Sequence, residues 1–206
     1  MNPAETPGAS VQVPLFPLNV VLFPGGPLPL RIFESRYVDM IGERMRNDGP
    51  FGVVLIRQGQ EAGGPASTWE TGTLARITDF YQGSDGLLGV TAIGEQRFRL
   101  LSAERAADGL NVGTIELLPD EPAVQLPAEY QPLADILTGV LDDLGKLYES
   151  LPRHLDDAGW VANRFLEILP IRLEEKQALL DDDDPLGRLE LVREVLNTVR
   201  PAAGDA

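Results

Sequence analysis

Apolar and polar positions change their rhythm once along the chain, near residue 119. Before it, short apolar runs are punctuated by glycine and alternate in places with period 2, as at Arg97, Phe98, Arg99 and Leu100, where every second side chain belongs to one face of a half-buried strand. This predicts strands at Val11–Phe16, Leu28–Ile32, Gly52–Arg57, Gly72–Tyr81, Leu87–Arg99 and Asn111–Leu118, with Ser84-Asp85-Gly86 as a hairpin turn. One stretch breaks that rhythm. Tyr37, Met40, Ile41, Arg44 and Met45 fall at helical spacing and predict a helix over Ser35–Asn47.

Pro119-Asp120-Glu121-Pro122 and then Pro127 interrupt regular structure twice, and the period that follows is helical. Leu133, Ile136, Leu137, Val140, Leu141, Leu144, Leu147 and Tyr148 recur at steps of three and four, predicting one continuous helix over Ala128–Glu149. A second helix opens at Asp156 or Asp157 and runs to Leu169, before Pro170. A third covers Leu173–Leu180. The last, Pro185–Val199, has Asp184 as N-cap and Pro185 at its first position, where the missing N–H has no partner to lose. The expected architecture is therefore α+β. A glycine-rich β subdomain over residues 11–121 precedes an all-α helical bundle over 122–200, with tails at 1–10 and 201–206.

Composition narrows the function. The chain of 206 residues has no cysteine, which removes disulfides, thiolate nucleophiles and zinc ribbons and fits a reducing compartment, so the cytoplasm is the expected location. The first ten residues lack the basic and apolar blocks of a secretory leader, and no stretch has the length of a membrane span, so no membrane association is expected. Net charge is −15, with 9 Lys/Arg against 14 Asp/Glu in residues 1–120 and 8 against 18 in residues 121–206. Nucleic-acid binding relies on cationic stripes that displace counterions, and none is present.

Catalytic and ligand motifs fail one by one. Gly139 to Gly145-Lys146 is one residue too long for a Walker loop, lacks the hydroxyl after the lysine and lies in a predicted helix. His154 is the single histidine, with no Gly-x-Ser-x-Gly elbow to serve. Lys146 and Lys176 sit on amphipathic helices among charged neighbours, which argues against a serine–lysine pair. The Asp181–Asp184 run precedes a helix start, whose dipole favours negative charge, and it lacks the glycine and distal glutamate of a calcium loop. No catalytic residue, metal ligand or cofactor is expected. Among the aromatics, Phe80 and Tyr81 are neighbours on one strand, so one of them should leave the barrel interior.

The block 13–25, Val-Pro-Leu-Phe-Pro-Leu-Asn-Val-Val-Leu-Phe-Pro-Gly, followed by Leu28-Pro29-Leu30-Arg31-Ile32-Phe33-Glu34, resembles the start of the amino-terminal domain of Lon-type ATP-dependent proteases. Four further segments resemble later landmarks of that domain in order: 70–77 as its glycine-led strand, 94–100 as its Gly-x-x-Arg-Phe strand, Leu169-Pro170-Ile171, and 175–180 with Arg188-Leu189. Position 181 is Asp where the family pattern often has Glu. The resemblance implies a PUA-like β-barrel followed by a helical bundle, and a role in holding unfolded or peptide-like polypeptide, with a protease or chaperone as partner. The family's ATPase and protease domains do not follow before Ala206, so the expectation is a non-catalytic recognition module, an adaptor or holdase. An RNA- or small-ligand-binding PUA-like protein stays open as the alternative. Phe33, Tyr37, Trp69, Phe80 and Tyr81 are the candidate peptide-contacting residues.

Overall fold

A computed structural model describes residues 10–61, 67–83, 85–149 and 151–199. The expected tails lie outside these residues, apart from Ser10, and so does Ser84 of the expected hairpin turn. The chain divides into two compact units, residues 1–120 and 121–206.

The first unit orders its elements as β1 (Ser10–Leu18), β2 (Pro27–Ile32), α1 (Ser35–Asn47), β3 (Phe51–Gln58), β4 (Ser67–Gln82), β5 (Leu88–Arg105) and β6 (Asn111–Leu117). The strand order is β2-β5-β4-β3-β1-β6, and a further β5–β6 pairing closes β5, β4, β3, β1 and β6 into a ring. β1 and β3 run parallel; all other pairs are antiparallel. The length of β5 makes the closure possible. Its first part, Leu88–Ile93, pairs with β2, and its second, Phe98–Arg105, pairs with β6, while β4 runs along Leu88–Arg99 on its other side.

Two apolar clusters lie on opposite sides of this sheet. Phe51 and Val53 of β3 join Phe16, Leu30, Val90 and the α1 residues Tyr37, Met40 and Ile41 in one; Val54 joins Leu15, Leu74, Phe98 and Ile115 in the other. A strand buried on both faces has no polar side to show, which explains the unbroken apolar run Val53–Ile56. Phe98 is fully buried, and a Cβ at Gly52 or at Gly72 would collide with its ring. Bare backbone on β3 and β4 is what admits the ring.

Two expected strands are longer in the structure. β4 starts at Ser67, five residues before Gly72, and β5 continues to Arg105, six residues past Arg99. The added β4 stretch is largely polar and the β5 stretch mixed, both are half-buried or exposed, and apart from Leu100, which packs on the Phe98 cluster, backbone pairing with β3 and β6 is what holds them.

The second unit has a 3-10 turn at Ala128–Tyr130, then α2 (Gln131–Leu144), α3 (Lys146–Glu149), α4 (Ala158–Ile168), α5 (Leu173–Asp181) and α6 (Pro185–Val199). The single helix expected over Ala128–Glu149 is thus three pieces. Tyr130, at φ −99° and ψ 0°, closes the 3-10 turn and stands at the N-cap of α2, and Gly145, at φ 65° and ψ −136°, ends α2 and restarts the chain as α3. Leu144 is accordingly exposed instead of continuing the stripe. Asp157 caps α4, its carboxylate accepting from the Trp160 N–H at 2.9 Å, and Asp184 caps α6 through the Gly187 N–H at 2.9 Å.

This acidic unit keeps two arginines inside. Arg188, 2% exposed, donates to the carbonyls of Leu179 (3.1 Å) and Asp182 (2.9 Å) and pairs with Glu121. It thereby satisfies orphan carbonyls at the end of α5. Arg164 holds Glu167 in a two-pronged pair, Nε to Oε2 at 3.0 Å and Nη2 to Oε1 at 2.5 Å. The Tyr148 hydroxyl lies 3.5 Å from the same carboxylate. Burial pushes Glu167 up to about 7 against the pull of Arg164, and pushes Tyr148 up to about 12.

Replacing Arg188 with Met should destabilise the protein by about 3–5 kcal/mol, because Glu121 and two carbonyls lose their buried partner; urea denaturation monitored on the helical signal measures this. For Glu167 the native carboxyl binds its proton more tightly than the unfolded one. Its contribution to stability is therefore fully present below pH 4.5 and lost as pH rises through about 7. Between pH 5 and 8, denaturation midpoints of Glu167→Gln should fall less steeply than those of the wild type, and equal slopes would contradict the assignment.

Candidate recognition pocket on the β unit

β2 begins at a tight turn. Gly25, at φ 74°, donates its N–H to the Gly94 carbonyl at 2.7 Å, and the Gly94 N–H returns to the Gly26 carbonyl at 2.8 Å, so β2 starts in fixed register on β5. Thr73 of β4 adds a side-chain bond to the Leu22 carbonyl at 2.6 Å. β2 ends the strand order and is paired on one side only. Pro27 and Pro29, which have no N–H to give, occupy two of its six positions, the usual placement of proline on an edge strand.

Alongside β2 lies a pocket of about 420 Å³. Leu18, Val20, Leu28, Leu30 and Ile32 line it as apolar floor, and Tyr37 joins from α1. Tyr37 is 3% exposed, and its ring stacks on Phe16 with centroids 3.9 Å apart and planes at 12°. The Arg36 guanidinium sits 4.6 Å from the centre of the Tyr37 ring. Burial raises the pKa of the Tyr37 hydroxyl, opposed by Arg36. Phe33, 63% exposed, stands at the mouth. Volume and lining fall in the range of ligand sites, which join an apolar wall to a few polar groups.

Three charged residues complete the lining. Arg31 pairs with Asp85, and Glu34 pairs with Arg36 at 2.9 Å. The carboxylate of Glu61 is fixed differently, accepting the Asn19 N–H at 2.5 Å.

The five aromatics singled out from the sequence separate in space. Phe33 and Tyr37 meet in this pocket. Trp69 is half-buried on β4, with the Arg57 guanidinium 5.5 Å from its ring centre. Phe80 lines a smaller recess of about 180 Å³ beside Arg44, Met45 and Arg76. Tyr81 covers Gly89 across the β4–β5 pair, in the space a Cβ there would need. The expectation that one of Phe80 and Tyr81 leaves the interior is corrected: both do, at 58% and 51% exposed. Beyond Ile77 this end of β4 is exposed on both faces, so alternation no longer sorts inside from outside. Pocket residues such as Leu28 and Leu30 carry only a strand signal in the sequence, Leu18 lies past the end of the expected first strand, and Glu61, in a glycine-rich connection, carries no signal.

Elsewhere the motifs set aside in the sequence take ordinary places. Gly139 lies within α2, and His154 meets the edge of Trp160 with ring centres 6.1 Å apart. Among the described residues no group of three His, Asp or Glu side chains comes together as a metal ligand set, and no helix is long and apolar enough to cross a membrane.

Comparison with known proteins places this geometry. The model of the ATP-dependent protease La (LON) substrate-binding domain matches residues 12–198. Lon protease 2 of Myxococcus xanthus is 29% identical over 195 residues, which cover 91% of this chain and 24% of that protein. Protein cereblon of Danio rerio is 31% identical over 116 residues, 54% of this chain and 26% of its own. The chain thus spans about a quarter of the length of these curated relatives. Among solved structures, the Lon N-terminal domain protein from Xanthomonas campestris superposes with a TM-score of 0.70 at 35% identity, covering 93% of this chain and 99% of that one. From residue 12 to residue 198, through both the β unit and the helices, the chain belongs to the LON substrate-binding domain family.

Proposed function

We propose that this chain is a non-catalytic module that captures unfolded or peptide-like polypeptide in the cytoplasm and serves a protease or chaperone as an adaptor or holdase. The observation that carries the reading is the pocket of the β unit: an apolar floor, a stacked aromatic wall and an exposed phenylalanine at the mouth, in a domain whose family is named for substrate binding. An apolar side chain that a folded protein hides is what such a pocket accepts, and burying it there is driven by the same transfer from water that folds a core.

A small apolar ligand is the second reading, favoured by the pocket volume alone. RNA is disfavoured by the net charge of −15.

A titration separates these. Reduced and alkylated unfolded polypeptide should bind with micromolar affinity, while native globular proteins and bulk RNA at low salt should give flat curves. Absence of binding to unfolded chains at high micromolar concentration would sink the reading. Phe33→Ser should weaken binding while changing stability by less than about 0.5 kcal/mol, because the side chain is exposed; Tyr37→Ala should destabilise the fold by about 3–5 kcal/mol, because it leaves a cavity against Phe16.

A further inference from the structure

Two features of the pocket go beyond apolar capture. The Tyr37 side chain is almost wholly buried, but its hydroxyl is not among the buried polar atoms left without a partner, so the tip of this lining residue is open to the pocket. A phenol whose tip reaches the pocket from an apolar wall can donate to an acceptor that enters it. The charges that act on that hydroxyl are those of Glu34, Glu61, Arg36 and Arg105. Glu34 and Arg36 neutralise each other, and Arg105 is exposed, outside the pocket lining, with its Nε on the Gly109 carbonyl at 3.3 Å. Arg31, the cation in the lining, is taken by Asp85. Among the described residues Glu61 is the lining charge without an ion pair, and its bond to the Asn19 N–H fixes it at the rim without cancelling it.

Resting on the reading of this pocket as a polypeptide site, we propose that it selects a bulky apolar residue flanked by lysine or arginine, with Glu61 reading the flanking cation and the Tyr37 hydroxyl donating to a backbone carbonyl beside the inserted side chain. The occupant is an unfolded basic-apolar segment. The net charge of −15 acts in the same direction, drawing cationic segments toward the molecule and repelling acidic ones before contact. The apolar floor then requires a side chain that an electrostatic encounter alone does not.

Glycine/serine-based peptides that differ only in a central Lys-Phe-Lys, Glu-Phe-Glu or Lys-Ala-Lys triplet test this by fluorescence anisotropy, next to a long unfolded polypeptide. In about 50 mM salt the Lys-Phe-Lys peptide should bind about fivefold or more tighter than Glu-Phe-Glu, and the difference should shrink in 500 mM salt. Glu61→Gln should bring the two toward equal affinity, and Glu61→Lys should reverse their order. Tyr37→Phe keeps the stacking on Phe16 and should weaken both phenylalanine peptides about two- to tenfold without altering their ratio. A charge preference that persists undiminished in Glu61→Gln, equal affinity for Lys-Ala-Lys and Lys-Phe-Lys, or unchanged binding in Tyr37→Phe would overturn the proposal. If the long polypeptide binds but the peptides show no preference for basic flanks, selectivity falls and polypeptide recognition stands. If neither binds, both fall. Unfolding midpoints equal to the wild type confirm that Glu61→Gln and Tyr37→Phe report on binding.

Discussion

The Phe98 ring occupies the space that side chains at Gly52 and Gly72 would need, and the β unit is organised around that exclusion. With bare backbone beneath it, the ring reaches the centre of its cluster while β5 stays close enough to β4 for their ladder to form. The same strand then continues beyond Phe98 to meet β6 and close the ring. Four residues before Phe98, Gly94 exchanges hydrogen bonds with Gly25 and Gly26 and fixes where β2 starts. The pocket is a consequence of this chain of constraints. Its floor is β2 and β1, and β2 is held where it is by its register on β5. A barrel that failed to close around Phe98 would therefore lose the pocket too, even though Phe98 is no part of its lining.

The helical unit solves a different problem, that of burying cations in an acidic segment. Arg164 and Arg188 are inside, each with a carboxylate and, for Arg188, carbonyls as well. Guanidinium suits this role because its planar fork serves several acceptors at once and keeps its charge under all ordinary conditions. One effect is internal, since α5, α6 and Glu121 share the Arg188 side chain. The other is external. Two of the eight Lys/Arg of residues 121–206 are withdrawn from solvent while most of the eighteen acids stay near it, so the surface of this unit is more acidic than its composition alone implies.

Which parts of this were legible follows from what each residue had to satisfy. Helix α1 was legible from end to end because one apolar stripe, Tyr37, Met40 and Ile41, meets one core. The polar stretches of β4 and β5 were not, because backbone pairing holds them and leaves no mark on side-chain pattern. Gly145 was passed over inside a convincing stripe, since glycine within a helical pattern is tolerated as often as it breaks one, and only its positive φ decides. Of the residues lining the pocket, Phe33 and Tyr37 stand out in the sequence as aromatics close to the end of β2. Trp69, Phe80 and Tyr81 share that chemistry but are carried by other parts of the sheet, and chemistry alone does not report proximity. Glu61 was invisible, because its place in the pocket lining comes with a bond to Asn19 across 42 residues.

The free edge of β2 bears on how such a pocket treats varied sequences. An exposed strand edge is the common place for a peptide to add as a further strand, reading backbone and ignoring much else. Here Pro27 and Pro29 remove two N–H donors from a six-residue strand, so an added strand would leave its carbonyls short of partners. The edge thereby resists both the addition of a further strand and edge-to-edge aggregation. What remains available is side-chain insertion beside the strand. Recognition of that kind would ask for one suitable residue in a suitable charge setting and leave the rest of the segment unconstrained, which is the mode of binding proposed for this pocket.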